Sequence, residues 1–266
     1  MIKLYLDFGV GDLRFAILAS GSSGNATVFE AAGTAVLIDC GVSVRRLEKC
    51  ASELDFSLAD LDSVLVTHEH ADHIGGVAAL ARRYGIPVYM THGTQIASSF
   101  RAERDVEIRE ISAHEPFSID ALTLRPAPVP HDAKEPCQFV VEHGEARIGL
   151  LTDVGSETFH IEQHFADCDA LILEFNHDTK MLLNSQYPYS VKQRIAGSHG
   201  HFNNQQAQTL LGKLLSKRLK YVFGAHISEN ANSYHLVQKK LQALLGGTDI
   251  QWGIAHQTGV TPWVTV

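Results

Sequence analysis

The sequence predicts an α/β domain. Short apolar runs that read as buried strands recur along the chain, and segments with helical spacing separate them in both halves. No linker of disordered composition and no low-complexity tract interrupts this alternation. Residues able to do chemistry gather in the turns that directly follow the apolar runs. With 266 residues and 45% hydrophobic content, the chain can bury a sizeable core. We read one domain over 13–266, preceded by an extension over 1–12.

In order, Leu13–Ala19 reads as a strand ending at the Gly/Ser loop Ser20–Asn25. Strands over Ala26–Glu30 and Ala35–Asp39, joined by a turn at Gly33, complete a meander. The loop could offer backbone N–H groups to an anion, although a tight turn using glycine's freedom is the favoured reading. Asp39 closes the third strand, either to orient a histidine ligand or to cap the helix that follows over Val42–Leu54. Ser63–Thr67 is a buried strand, Val77–Tyr84 a helix and Ile86–Met90 another strand. His92 stands alone, as a surface or structural histidine does. Phe117–Arg125 reads as one strand running into a stiff proline segment, 126–130, which presents His131 at a fixed place. Asp132 beside it suits a supporting or turn role. Phe139–Glu142 and Arg147–Thr152 pair around Gly144, and the second ends in Asp153. Ala170–Phe175 and Tyr221–Ala225 are buried strands, the latter delivering His226. Helices are expected over Gln205–Leu215 and Ser233–Leu245, and a closing edge strand over Ile250–Ile254.

Composition narrows the class. The net charge is −8 with histidines neutral, which excludes a strongly basic nucleic-acid platform but not a local basic groove. Four cysteines, none in a C-x-x-C pair, read as reduced, buried small hydrophobes. The first residues lack a signal-peptide pattern and no apolar run approaches a membrane span, so a cytoplasmic protein with no membrane partner is expected.

The most informative stretch is Thr67–His73, which contains H-x-H-x-D-H. In extended chain His68 and His70 point to one side, while the adjacent Asp72 and His73 diverge. The turn therefore aims two ligand sets at two nearby metal positions. Imidazole and carboxylate donors suit zinc, manganese or iron. With His131, Asp153 and His226, seven such residues follow apolar strands, as many as a two-metal site needs.

This pattern resembles the signature of the metallo-β-lactamase fold family. Glu174–Asp178, Tyr187-Pro188, Lys192 with Arg194 and Ile195, Gly200–Asn204, the Gly/Ser loop and His226–Asn230 resemble its YycJ (WalJ/VicX) branch. Phe175 and Phe202 depart from the small or other apolar residues expected there. The resemblance implies an αββα sandwich of two mixed sheets with the metal site at one sheet edge. It implies that His68, His70 and His131 hold one divalent ion, that Asp72, His73 and His226 hold a second, and that Asp153 bridges. It implies a phosphodiesterase, and for this branch a 5′→3′ exonuclease acting on double-stranded DNA. Asp72 then helps orient or deprotonate the attacking water. By similarity to tRNase Z and PhnP, His201 is the candidate general acid, with His199 as its competitor. Ser22, Asn25, Asn203 and Asn230 are candidate substrate contacts, although capping is the favoured role for each asparagine alone. Two other readings stand: a small-molecule phosphodiesterase or thioester hydrolase on the same scaffold, and a metal-stabilised regulatory protein with little catalysis.

Overall fold

Alternation along the first strand, β1 (Arg14–Ala19), already sets the layering. Phe15 and Ile17 enter one buried apolar cluster, and Ala16 and Leu18 enter another on the opposite face. A strand buried on both faces lies in a sheet covered on both sides. The computed structural model describes residues 12–98 and 105–266. Apart from Asp12, the extension over 1–12 lies outside the described residues.

Two seven-stranded sheets result. The first contains, in spatial order, β14 (Val264–Thr265), β1, β2 (Ala26–Ala31), β3 (Thr34–Ile38), β4 (Ser63–Leu65), β5 (Val88–Thr91) and β6 (Ile108–Ile111). The second contains β13 (Gln251–Ile254), β12 (Tyr221–Ala225), β11 (Ala170–Glu174), β10 (Ala146–Leu151), β9 (Cys137–His143), β8 (Leu122–Pro128) and β7 (Phe117–Ile119). In each sheet antiparallel pairs give way to a parallel run, β3 to β6 in one and β10 to β13 in the other.

Phe15, Phe29, Leu65, Leu124, Phe139 and Ile172 fill the space between the sheets. Outside the first sheet lie α1 (Val44–Ser52) and α3 (Val77–Tyr84), burying Leu47, Val77 and Leu80, and the short α4 (His92–Ala97) follows β5. Outside the second lie α5 (Phe159–Phe165), α8 (Asn204–Leu214) and α9 (Tyr234–Leu245), burying Phe165, Leu210 and Leu241. The expected αββα sandwich is therefore observed. Phe175 and Phe202, the two departures from the branch pattern, are fully buried in this outer core. No helix among the described residues is long and apolar enough to cross a membrane.

Two segments differ from expectation. Phe117–Arg125 is a hairpin of β7 and β8 rather than one strand, because Asp120 takes a left-handed turn at φ 44°. β7 pairs only as far as Leu124, so beyond it β8 is an edge, where prolines are tolerated. The stretch 179–196 forms α6 (Thr179–Asn184) and α7 (Tyr189–Ala196), which the periodicity did not reveal because α7 buries no residue.

The His-rich segment leaves β4 and turns into the short α2 (Ala71–Ile74). It is held by backbone bonds from Asn25 N to Asp72 O at 2.8 Å, Cys40 N to His73 O at 2.8 Å and Gly76 N to Cys40 O at 2.7 Å. This contact needs a glycine at 41, where a Cβ would fall 1.7 Å from Asp72 O. Gly41→Ala should displace the loop and destabilise the protein by about 1–3 kcal/mol. Gly212→Ala on the open face of α8, where a Cβ meets nothing within 4 Å, should stabilise it by about 0.5–1 kcal/mol. Urea unfolding of both variants checks the pair, and an unaffected Gly41→Ala would disprove the tight approach.

Candidate metal centre

The chemistry collects where strands of both sheets end, the position at which open α/β sheets place ligands. Asp39 follows β3, Thr67 to His73 follow β4, His131 follows β8, Asp153 follows β10, Glu174 ends β11 and His226 follows β12. Asp39, Asp153 and His226 take φ values of 61°, 55° and 50°. Left-handed backbone at non-glycine residues is unfavourable and concentrates at functional sites.

All seven sequence-derived candidates come together. His68, His70 and His131 form one group, and Asp72, His73 and His226 another, each with its ligand atoms within 4.8 Å of one another. Asp153 reaches both groups: Oδ1 lies 3.8 Å from His131 Nε2, and Oδ2 lies 3.2 Å from His73 Nε2. Asp72 Oδ2 lies 3.6 Å from His73 Nε2 and 3.5 Å from His226 Nε2.

Four of the imidazoles are oriented through their second nitrogen, as metal-binding histidines usually are. Asp39 accepts from His73 Nδ1 at 2.7 Å and from the Thr67 hydroxyl at 2.8 Å. The Thr67 oxygen in turn accepts from His68 Nδ1 at 2.9 Å. His131 Nδ1 donates to Gly200 O at 3.0 Å, and His226 Nδ1 donates to Glu174 at 2.8 Å. Each bond leaves Nε2 aimed inward. Of the two roles open to Asp39, orienting a histidine is the one observed.

Three inward atoms, His68 Nε2, His226 Nε2 and Asp153 Oδ2, are buried without a hydrogen-bond partner. Such orphans cost about 1–3 kcal/mol each. At 3.2 Å, His73 Nε2 and Asp153 Oδ2 face each other as two acceptors, which requires positive charge between them, a proton or a metal ion. Nitrogen and carboxylate donors converging in two bridged groups fit a pair of divalent cations.

The electrostatics agree. Burial opposes charge on His226, but Asp153, Asp72 and Glu174 outweigh it and hold its pKa up at about 10. His73 is raised in the same way by Asp153 and Asp39. His68, buried among other imidazoles, is held well below its ordinary value. Burial would raise Asp153 and Glu174, but the neighbouring imidazoles hold Asp153 well below the carboxylate range and Glu174 at about 2.

Glu174 is the residue that sequence reasoning passed over as a site member. It is fully buried and accepts from His201 Nδ1 and His226 Nδ1 at 2.8 Å each, from Phe202 N at 2.9 Å, and from Asp153 N and Val154 N at 3.2 Å each. Its signal was a carboxylate ending an apolar strand, the same signal that marked Asp153. With both histidine Nδ1 atoms already donating to it, Glu174 acts as a positioning residue.

The centre opens into a cavity of about 380 Å³, whose lining includes His70, Asp72, Asp153, His201 and His226. Ser22 also lines it, and Asn230 donates to Tyr187 on its wall at 3.0 Å. Asn25 sits beneath the metal loop, with Nδ2 3.3 Å from Asp72 O. Asn203 caps α8 through bonds from Gln205 N and Gln206 N. His199 is exposed and contacts Ser198, whereas His201 reaches the cavity.

A family model described as a beta-lactamase superfamily domain matches residues 34–223. Exodeoxyribonuclease WalJ of Streptococcus pneumoniae is 30% identical over 245 residues, 91% of each chain. Exodeoxyribonuclease YycJ of Bacillus anthracis is 29% identical over 235 residues, 88% of this chain and 89% of its own. The metallo-beta-lactamase fold protein YhfI of Bacillus subtilis superposes with a TM-score of 0.72 at 16% identity, covering 94% of this chain and 99% of that one.

Because His73 and His226 hold protons that cations must displace, metal binding should release protons and strengthen as pH rises. Calorimetry in buffers of different ionisation enthalpy should show the release, and apparent zinc affinity at pH 8 should exceed that at pH 6 by about tenfold or more. Affinity independent of pH would contradict the assignment. Glu174→Gln should lower metal affinity or activity by roughly 10- to 100-fold, read as metal content after dialysis and as turnover.

Proposed function

The chain belongs to the metallo-β-lactamase superfamily of metal-dependent hydrolases, and on that premise we propose a dinuclear phosphodiesterase that acts as a 5′→3′ exonuclease on DNA. The observation that carries this reading is the pair of bridged ligand groups sharing one cavity with a carboxylate-held histidine, His201. The names of the relatives that match along nearly the full chain, both exodeoxyribonucleases, support the substrate. We place its work in the cytoplasm, where four buried free cysteines stay reduced.

His68, His70 and His131 would hold one divalent ion, Asp72, His73 and His226 a second, and Asp153 both, with zinc, manganese or iron suited to these donors. Such ions supply Lewis-acid charge to the phosphoryl oxygens and generate a nucleophile from water at neutral pH. Asp39, Thr67, Gly200 O and Glu174 keep the ligand rings in register through their Nδ1 atoms. Asp72, half-buried at the cavity floor, orients the attacking water. His201 donates Nδ1–H to Glu174, so the proton on Nε2 is the one it gives to the leaving alkoxide. The Glu174 carboxylate holds the ring in that orientation, as an acid behind a catalytic histidine does. Ser22 in the cavity lining, and Asn230 behind Tyr187 of its wall, serve as substrate contacts.

A second reading has its own observation. The cavity is at the small end of the range for small-molecule sites, and Arg194 is the one lysine or arginine in its lining among the described residues. This favours a small or cyclic phosphodiester.

His201→Ala should lower kcat by ~10²–10⁴-fold with metal content unchanged, and Asp72→Ala should abolish turnover. The assay compares 5′-phosphorylated duplex DNA, single strands and a chromogenic phosphodiester with manganese or zinc restored. Loss of nucleotides from the duplex 5′ end supports the exonuclease. Turnover of the chromogenic diester alone moves the protein to the second reading, and no turnover with both ions bound rules out both.

A further inference from the structure

One wall of the cavity is α7, whose Val191, Arg194 and Ile195 share one face at helical spacing. Arg194 donates through Nε to Asp132 Oδ2. Asp132 directly follows His131, and its other oxygen lies 3.5 Å from His131 Nε2. One carboxylate thus spans from the first ligand group to the guanidinium. Asp132 itself belongs to none of the candidate ligand groups.

The rest of the guanidinium is available. Its terminal Nη groups take no hydrogen-bond partner among the described residues, and the side chain is 55% exposed. A guanidinium carries five N–H donors in a planar fork. Anchoring Nε fixes the plane of that fork and leaves the Nη pair to donate to two oxygens of one tetrahedral anion, the geometry that distinguishes arginine from lysine at phosphates. An ion pair serving only the surface would contribute little and would have no reason to stand in the cavity wall.

We propose that Arg194 recognises a second phosphate, next to the one that is cleaved, and that Asp132 positions it for this. The inference rests on the phosphodiesterase reading. The scissile group belongs between the two ligand groups, where cations meet its charge, whereas Arg194 is displaced from them by the Asp132 carboxylate. The site is thereby selective for a phosphodiester carrying an adjacent phosphate, as in a nucleotide chain or a phosphorylated end, over an isolated diester.

The test uses the metal-loaded protein with a 5′-phosphorylated thymidine dinucleotide and its 5′-hydroxyl twin. The wild-type chain should prefer the phosphorylated substrate by roughly 10- to 100-fold in kcat/KM, carried by KM, the range for hydrogen bonds to charged groups. Arg194→Ala should erase the preference, and Arg194→Lys should restore part of it, since lysine keeps the charge without the fork. A preference retained in Arg194→Ala overturns the proposal, as does a loss of equal size on both substrates. Calorimetric titration with thymidine 3′,5′-bisphosphate and thymidine 3′-phosphate reads the same preference without turnover. Absence of cleavage therefore counts against the phosphodiesterase, and a binding preference missing from the wild type or unchanged in Arg194→Ala counts against the role of Arg194. Metal content and thermal midpoint matching wild type exclude misfolding as the cause.

Discussion

The carboxylate of Glu174 is the interaction on which the candidate site depends. It ends the interior strand β11 with no exposure to solvent. An ion in such a place costs several kcal/mol unless it is fully paired, and here five donors from three different loops surround it. Asp153 N and Val154 N come from the loop after β10, His226 from the loop after β12, and His201 with Phe202 N from the approach to α8. One buried charge therefore sets the relative positions of the carboxylate that reaches both candidate ligand groups, a candidate ligand imidazole and the candidate acid. Its neighbours hold it ionised, with a pKa of about 2, so it keeps that role across the ordinary pH range.

A second constraint is that neither sheet owns the centre. His68, His70, Asp72 and His73 come from the first sheet, and His131, Asp153 and His226 come from the second. Their meeting requires the apolar layer of Phe15, Phe29, Phe139 and Ile172 to close the sandwich first. Cation binding is then linked to tertiary stability, because ions that bind only the assembled site favour the folded state by mass action. Left-handed backbone at Asp39, Asp153 and His226 is tolerated at this seam because the hydrogen bonds around it determine each position several times over.

Legibility in the sequence followed the range of the forces involved. The H-x-H-x-D-H turn was readable because a buried strand and a glycine pair bracket it, and α3 matched its expected bounds because its apolar spacing is local. His131, Asp153 and His226 were found by one rule, a polar residue directly after an apolar run. Glu174 satisfies nearly the same rule from within its strand, and its partners lie 20 to 52 residues away, so its role as a hub needed the fold. The hairpin at Asp120 was hidden by apolar residues on both sides of a turn without glycine or proline. α6 and α7 left little trace, since Leu183 and Tyr189 are exposed. The pairing of Arg194 with Asp132 spans 62 residues, and no spacing rule reaches that far.

The charge balance bears on how an acidic protein could handle a polyanion. Long nucleic-acid tracks gain affinity by releasing counterions to many lysines and arginines. Here much of the basic surface is already matched: Arg83 to Glu48, Arg125 to Glu142, Lys213 to Glu157 and Glu162, and Arg218 to Asp169. Binding energy on the proposed reading must then be concentrated in the cavity, from the ions that seven converging candidate ligands would hold and from the Arg194 guanidinium on its wall. A site arranged in that way acts on the one unit that enters it, and the remainder of a long substrate contributes little. Such an arrangement suits cleavage at an end better than cleavage within a bound duplex, because an end can place one unit in a cavity of this size without unstacking the chain around it.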